Sequence, residues 1–269
     1  MHEEKYPLVS HPHDPRFTFL RSLQSASGRI KSGKYLIEGI RHVSRCFEQR
    51  VPVELMFEIP SILSNPFGQR LARRIRQSKV PCIRLTPHLY QQLSLAAEPQ
   101  GIGAVVRQRW HELSSLKVTR DSLWLAIESI DQPGNLGTIL RTAEAAGVSG
   151  VLLLDSVPDP WDPACVRASM GSLFSQRLVR CDIREFTAWA RRSGVAVVAS
   201  SPRGLFDFNV FRCRWPAALL IGSERSGLSD QLLDVADFSL RIPMRGDCDS
   251  LNVAVATGVL LFALSGRRQ

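Results

Sequence analysis

An α/β fold in two parts is predicted, on three observations. The second half of the 269-residue chain alternates short apolar runs with helical patterns. The first half holds a shorter alternation of its own. Charge also divides the chain: residues 1–120 carry 19 Lys and Arg against 9 Asp and Glu, and the remainder 15 against 16. Apolar strands alternating with helices imply a mostly parallel sheet covered on both faces. The length fits one large or two ordinary domains. A hydrophobic content of 44% is enough for real cores.

Residues 1–15 are polar, with Pro7, Pro12 and Pro15, and read as a loose arm. The pattern becomes globular from Phe17. KYLIEGIRHVSRCFEQ (34–49) reads as a short strand running into a helix, and Val53–Ile59 as a strand. Asn65-Pro66 is an N-cap and N1 pair. It opens a helix with Leu71 and Ile75 on one face, crowded by Arg70, Arg73, Arg74, Arg76 and Lys79. A strand near Cys82–Leu85, a helix near Pro87–Leu95 and a strand at Ile102–Arg107 complete a domain over 16–107. The polar stretch 108–121 reads as a linker. The second domain, 122–269, begins with the strand Ser122–Glu128 and a helix from about Leu136 to Ala146. Gly150–Leu154 is a strand, followed by a loop and a helix. The strands Val195–Ser200 and Ala217–Gly222, a helix, the strand Ser239–Pro243 and a last helix from about Leu251 follow.

Several classes are disfavoured. All six histidines, His2, His11, His13, His42, His88 and His111, lie in the first half. Chemistry in the second half therefore has no histidine base and no His-cluster metal. Cys46, Cys82, Cys165, Cys181, Cys213 and Cys248 form no C-x-x-C pair. They read as reduced thiols in a cytoplasmic protein, with no metal site expected. The N-terminus lacks an apolar signal core. The longest apolar stretch, Val253–Leu264, is shorter than the roughly 20 residues of a membrane span, so no membrane segment is expected. Gly28–Lys34 fits most of a phosphate-binding loop, but Tyr35 stands where Ser or Thr is required and no strand leads in. No G-x-G-x-x-G follows the strand at 122–128, which argues against a dinucleotide site. The basic first half suits a polyanion partner; a merely soluble basic surface is the plain alternative.

Three stretches at strand or helix ends carry polar residues of interest. In DQPGN (131–135) Asn135 reads as a helix N-cap. Leu136, Ile139, Leu140, Ala143 and Ala146 trace the buried stripe of that helix, Gly147 its stop, and Arg141 lies off the stripe. Gly222-Ser223-Glu224 follows an apolar strand, where glycine allows close backbone approach. Ser250 reads as an N-cap, and Asn252 in the first helical turn is unusual for pure packing. Each has a bland reading alone: a cap, a solvated Arg, a Glu favouring a helix start.

Together, Asn135–Gly147, Ile221–Leu228 and Ile242–Ala256 resemble, in order and spacing, the three motifs of the SpoU/TrmH branch of the SPOUT RNA methyltransferases. Val166–Phe174 resembles the family's segment between the first two motifs. Gly33–Gly39 and Glu98–Ile102 resemble the start and end of an N-terminal substrate-binding domain that shares a fold with certain ribosomal proteins. Two positions depart: Arg225 stands where a small residue is often found, and Ala254 where Ser is common.

The resemblance implies S-adenosyl-L-methionine as methyl donor, a ribose 2′-hydroxyl of RNA as acceptor, a deep trefoil knot, and a homodimer through the C-terminal domain. It implies cofactor contacts from Gly222, Ile242 and Leu251, with Ile221 and Met244 beside them. The implied catalytic set is Arg141, Asn135, Glu224, Ser250 and Asn252. A guanidinium stays protonated, which favours Arg141 as a phosphate clamp and alkoxide stabiliser; a direct base role stays open. RNA affinity is expected from Arg70, Arg73, Arg74, Arg76 and Lys79. Ribosomal RNA is favoured over transfer RNA. The alternatives are a transfer-RNA 2′-O-methyltransferase, a base methyltransferase of a related knotted family, and a non-catalytic RNA-binding or assembly protein.

Overall fold

The computed structural model describes residues 6–266. They form two compact units. One comprises the chain up to Gln108 together with Trp161–Phe174; the other comprises Arg109–Pro160 and the chain from Ser175 onward.

The first unit contains β1 (Leu8–Val9), α1 (Pro15–Ser22), α2 (Ala26–Ser32), β2 (Lys34–Glu38), α3 (Ile40–Glu48), β3 (Val53–Glu58), α4 (Pro66–Gln77), β4 (Cys82–Leu85), α5 (Pro87–Leu93) and β5 (Ile102–Arg107). Its sheet runs β1-β4-β3-β5-β2. β4 is parallel to β1 and β3, while β5 is antiparallel to β3 and β2. Side-chain caps set four helix starts: Asp14, Ser25, Asn65 and Thr86 each accept a hydrogen bond from the first turn.

Two expectations change here. The arm is built in from Pro7 onward: β1 pairs with β4 and Val9 is fully buried; residues 1–5 lie outside the described residues. α1 and α2 were not anticipated, although Asp14-Pro15 is a cap-and-N1 pair like Asn65-Pro66. The loop-like stretch Gly28–Lys34 is mostly the helix α2, ended by Gly33 in the left-handed region at φ 64°, and so cradles no phosphate.

The two segments that resemble the family's N-terminal domain meet at a clasp. Tyr90 Oη donates to Glu38 Oε1 at 2.8 Å, Ser94 Oγ donates to the same oxygen, and Gly39 N donates to Ile102 O at 2.9 Å. Gln100 Oε1 accepts from Ile40 N at 2.8 Å.

The second half contributes β6 (Leu123–Ser129), α6 (Pro133–Ala145), β7 (Gly150–Ser156), α7 (Pro163–Ser169), β8 (Leu178–Cys181), α8 (Ile183–Arg192), β9 (Ala196–Ser200), β10 (Phe206–Asp207), β11 (Ala217–Ile221), α9 (Asp230–Val235), β12 (Phe238–Arg241) and α10 (Val253–Ser265). All seven strands of its sheet are parallel, in the order β10-β12-β9-β11-β6-β7-β8. Its core includes Trp124 and Trp189, whose rings meet edge to face at 5.3 Å.

Two further expectations are corrected. Part of the expected linker is packed, since Leu113, Leu116 and Val118 lie against this core. The segment Trp161–Phe174, with α7, belongs to the first unit and interrupts the expected second domain. The reason is chemical. Arg29 is 2% exposed, and its guanidinium reaches the Asp162 carboxylate at 3.2 Å. Trp161 packs on Tyr35 with ring centroids 4.7 Å apart. The strand β8 was missed, and two helices, α7 and α8, stand where one was expected; α8 opens with a full capping box between Asp182 and Glu185. Among the described residues no helix is long and apolar enough to cross a membrane.

Candidate functional site

The three motifs converge at the C-terminal ends of β6, β11 and β12, the edge where open parallel sheets bind ligands. The first motif starts earlier than its sequence suggests. Pro133 opens α6, and Gln132 is the N-cap without a side-chain cap bond. Proline at the first helical position is pre-organised, since its missing N–H would have been unpaired there. Asn135 is therefore not the cap but the third helical residue, and its side chain is released for another partner.

That partner is the second motif. After β11 the chain turns through Gly222–Leu228, closed by reciprocal backbone bonds between Ser223 and Gly227 at 3.0 and 3.1 Å. A Cβ on Gly222 would lie 2.1 Å from the Gly227 carbonyl oxygen, so only glycine fits. This turn projects Glu224 toward α6. Asn135 Nδ2 donates to Glu224 Oε1 at 2.7 Å, and Asp131 N donates to Oε2 at 3.2 Å. Glu224 thus does not serve the next helix, which begins at Asp230.

The third motif joins the same chain of bonds. Ser250 was expected to cap the last helix, but Asn252 does so, its Oδ1 accepting from Ala254 N and Val255 N at 2.9 and 3.4 Å. Asn252 Nδ2 then donates to Asn135 Oδ1 at 3.3 Å. Every link has a fixed direction, from the α10 amides through Asn252 and Asn135 to Glu224. Each amide has one end committed to donating and the other to accepting, which fixes its orientation. Burial alone would raise the Glu224 carboxyl. The hydrogen bonds from Asn135 and from the backbone N–H groups of Glu224 and Asp131, with the nearby Arg225 charge, outweigh it and hold the carboxyl below its ordinary range.

The structure does not bring Arg141 or Ser250 to this relay. Arg141 is exposed on α6 and makes no hydrogen bond or ion pair among the described residues. It lies six positions after Asn135 in the helix, which sets it about 120° round the helix and about 9 Å along it. Ser250 is exposed in the segment before Asn252. Arg225 pairs with Asp131 at 3.3 Å, an exposed contact worth little.

The expected cofactor residues divide by exposure. Gly222 and Ile221 are buried, so they can offer a ligand only backbone groups. Ile242 is partly buried, while Met244 and Leu251 are 37% and 39% exposed. Two unpartnered apolar side chains beside free strand ends suit an adenine ring better than a phosphate. Among the described residues no group of His, Cys, Asp and Glu could hold a metal.

One feature of this edge was missed in the sequence. A cleft of about 560 Å³ adjoins the second motif, lined by Glu128, Ser129 and Asp155 from the ends of β6 and β7 and by Ser226, Leu228, Ser229 and Asp230. Glu128 Oε2 accepts from Ser229 N at 2.8 Å, and Asp155 holds φ 51°. Their position at strand ends was the available signal.

In the first unit, Arg70, Arg73 and Lys79 are exposed. Arg74 lies over the Phe47 ring, 5.5 Å from its centroid. Arg76 has a structural task instead: it pairs at 2.5 Å with Glu58, a carboxylate only 4% exposed, which Arg84 approaches at 3.5 Å.

Comparison with known proteins agrees with this fold. The model of the SpoU rRNA Methylase family matches residues 122–262, and that of the MRM3-like substrate binding domain matches residues 14–104. The chain belongs to the SpoU rRNA methylase family. It is 32% identical over 248 residues to a 23S rRNA (uridine(2479)-2′-O)-methyltransferase of Streptomyces viridochromogenes, covering 89% of this chain and 85% of that one. It is 28% identical to a 23S rRNA (guanosine(2553)-2′-O)-methyltransferase of Bacillus subtilis, covering 91% and 94%. An AdoMet-bound rRNA methyltransferase from Sinorhizobium meliloti superposes with a TM-score of 0.87 at 29% identity, over 96% of this chain and 97% of that one. The SpoU methyltransferase AviRb of S. viridochromogenes, in complex with AdoMet, gives 0.86 at 29% over 95% and 98%.

Proposed function

We propose that this protein methylates a ribose 2′-hydroxyl of large-subunit ribosomal RNA, with S-adenosyl-L-methionine as donor. The observation that carries the reading is the directed relay Asn252–Asn135–Glu224, which ties all three motifs together at one sheet edge. A protein that only bound RNA would have no use for that whole set. The relatives named above act on a uridine and a guanosine, so the family leaves the target base open.

When bound, the cofactor supplies an electrophilic methyl group. The protein's residues must hold the hydroxyl in line with it and ease loss of the hydroxyl proton. The backbone at Ile221 and Gly222 and the side chains of Ile242, Met244 and Leu251 would hold the cofactor. Glu224, Asn135 and Asn252 fix the loops against one another and orient the ribose, which Ser250, exposed two residues before Asn252, would meet from the solvent side. Arg141 clamps an RNA phosphate and stabilises the developing alkoxide.

Four finer features belong to this proposal. The C-terminal chain forms a trefoil knot; in support, β11 enters between β9 and β6, and α10 packs back on α6. The protein is a homodimer through α10. That helix is apolar all round, and its outward side carries Val255, 53% exposed, and Phe262, 54% exposed, one heptad apart with Val259 between. The first unit supplies RNA affinity through Arg70, Arg73, Arg74 and Lys79, and the enzyme works in the cytoplasm, where ribosomal RNA is.

Arg141→Ala tests the mechanism. We expect cofactor affinity to persist while methyl transfer falls by at least 100-fold, with Arg141→Lys restoring only part of it. Near-normal transfer by Arg141→Ala would overturn the assignment.

A further inference from the structure

A second cavity, of about 420 Å³, lies in the first unit, where α3 and α4 end above the start of β3. Its floor is apolar: Val51, Val53 and Val80. One wall is the partly buried ring of Phe47, covered by the Arg74 guanidinium at 5.5 Å. Arg50 stands at the rim, and Lys79 is the chain neighbour of Val80. Glu48, the acidic lining residue, accepts a hydrogen bond from Ser44 Oγ of its own helix at 2.7 Å.

The two helices end alike. Arg50 follows the cap of α3, Lys79 follows the cap of α4, and each is succeeded by Val-Pro and a strand. Both basic residues sit at positive φ, 54° and 66°. Glycine would be easiest at this position; here cations stand in its place at both helix ends. Apolar lining residues, an aromatic ring under a guanidinium, and the cations Arg50 in the lining and Lys79 next to it in the chain make up the chemistry that receives an unstacked base and its phosphates. The volume falls within the roughly 300–1,000 Å³ of small-ligand sites.

We propose that this pocket takes one unpaired nucleobase of the RNA substrate, laid on the Phe47–Arg74 stack, with the flanking phosphates held by Arg50 and Lys79. The inference rests on the RNA reading above and deepens it: the substrate must present a bulged or looped-out nucleotide to the first unit, separate from the nucleotide that is methylated.

The test is equilibrium binding of the full-length protein to a 12-nucleotide single-stranded RNA and to a 12-base-pair RNA duplex at one salt concentration. Phe47→Leu keeps apolar packing and removes the ring, Phe47→Tyr keeps the ring, and Arg74→Ala removes the covering cation. Thermal melts establish that each variant is folded. We expect Phe47→Leu to weaken single-strand binding 5- to 20-fold with duplex binding changed less than twofold, Phe47→Tyr to stay close to wild type, and Arg74→Ala to weaken single-strand binding by clearly more than duplex binding. Equal losses on both RNAs, loss on neither, or no measurable binding of the single strand by the wild type would overturn the proposal. The readout needs no methyl transfer, so its failure and a failure of the methyltransferase reading are distinguishable.

Discussion

Asn252 performs two tasks with one side chain: its oxygen caps α10 and its nitrogen donates to Asn135. Substitution separates them. Asn252→Asp keeps the capping oxygen but loses the donor and sets a second carboxylate near the relay. Thermal melts should then change little, while methyl transfer falls by 10-fold or more. Asn252→Ala loses both and should also cost about 1 kcal/mol of stability. Equal activity in the two variants, close to wild type, would remove Asn252 from the site. Glu224 gives a pH test. Its folded carboxyl lies below its ordinary value, so its bonds stabilise the site above the unfolded pKa and are lost as pH falls through the lower folded one. Cofactor affinity should therefore hold through neutral pH and decline on the acid side. Glu224→Gln should flatten that decline, and an unchanged acid limb would show that another group controls it.

At the scale of elements, the helix α4 tests which cations serve the fold and which serve RNA. Arg76→Ala leaves the buried Glu58 with the more distant Arg84 at 3.5 Å and should cost about 3 kcal/mol, read as a lowered melting temperature. Replacing Arg70, Arg73 and Lys79 together should leave melting nearly unchanged. It should reduce the salt dependence of RNA binding, in log–log slope, by about 2 to 3. The sequence alone could not make this distinction, because all five cations share one helix pattern and the partner that claims Arg76 is 18 residues away. The same limit explains the misplaced caps. Asn135 and Ser250 looked like caps by local rules, but Pro133 fixed an earlier start for α6, and Asn252 was the better placed oxygen for α10. Strand order was legible only as a parallel class, since apolar runs such as Ala217–Ile221 do not say which strands they separate. The motifs themselves were legible because they set particular polar residues at strand and helix ends, in an order and spacing that resemble the family's. The pairing that unites them needed three dimensions.

For the whole molecule, the proposed dimer through the apolar outward side of α10 has its own test. Phe262→Glu should convert a dimer to a monomer in sedimentation analysis and abolish methyl transfer. A monomeric wild type with full activity would contradict the dimer. The segment Trp161–Phe174 shows how the sequence order of parts can mislead: it lies between two motifs of the second unit yet packs with the first, held by the buried Arg29. The central claim is chemical and has a direct test. Ribosomal RNA from a strain lacking this gene is incubated with the protein and isotopically labelled S-adenosyl-L-methionine, digested to nucleosides and analysed by mass spectrometry. The account predicts label in a single 2′-O-methylated nucleoside, located to one fragment of large-subunit RNA and absent with Arg141→Ala. Label on a base, or no label in ribosomal RNA despite measurable cofactor binding, would contradict it.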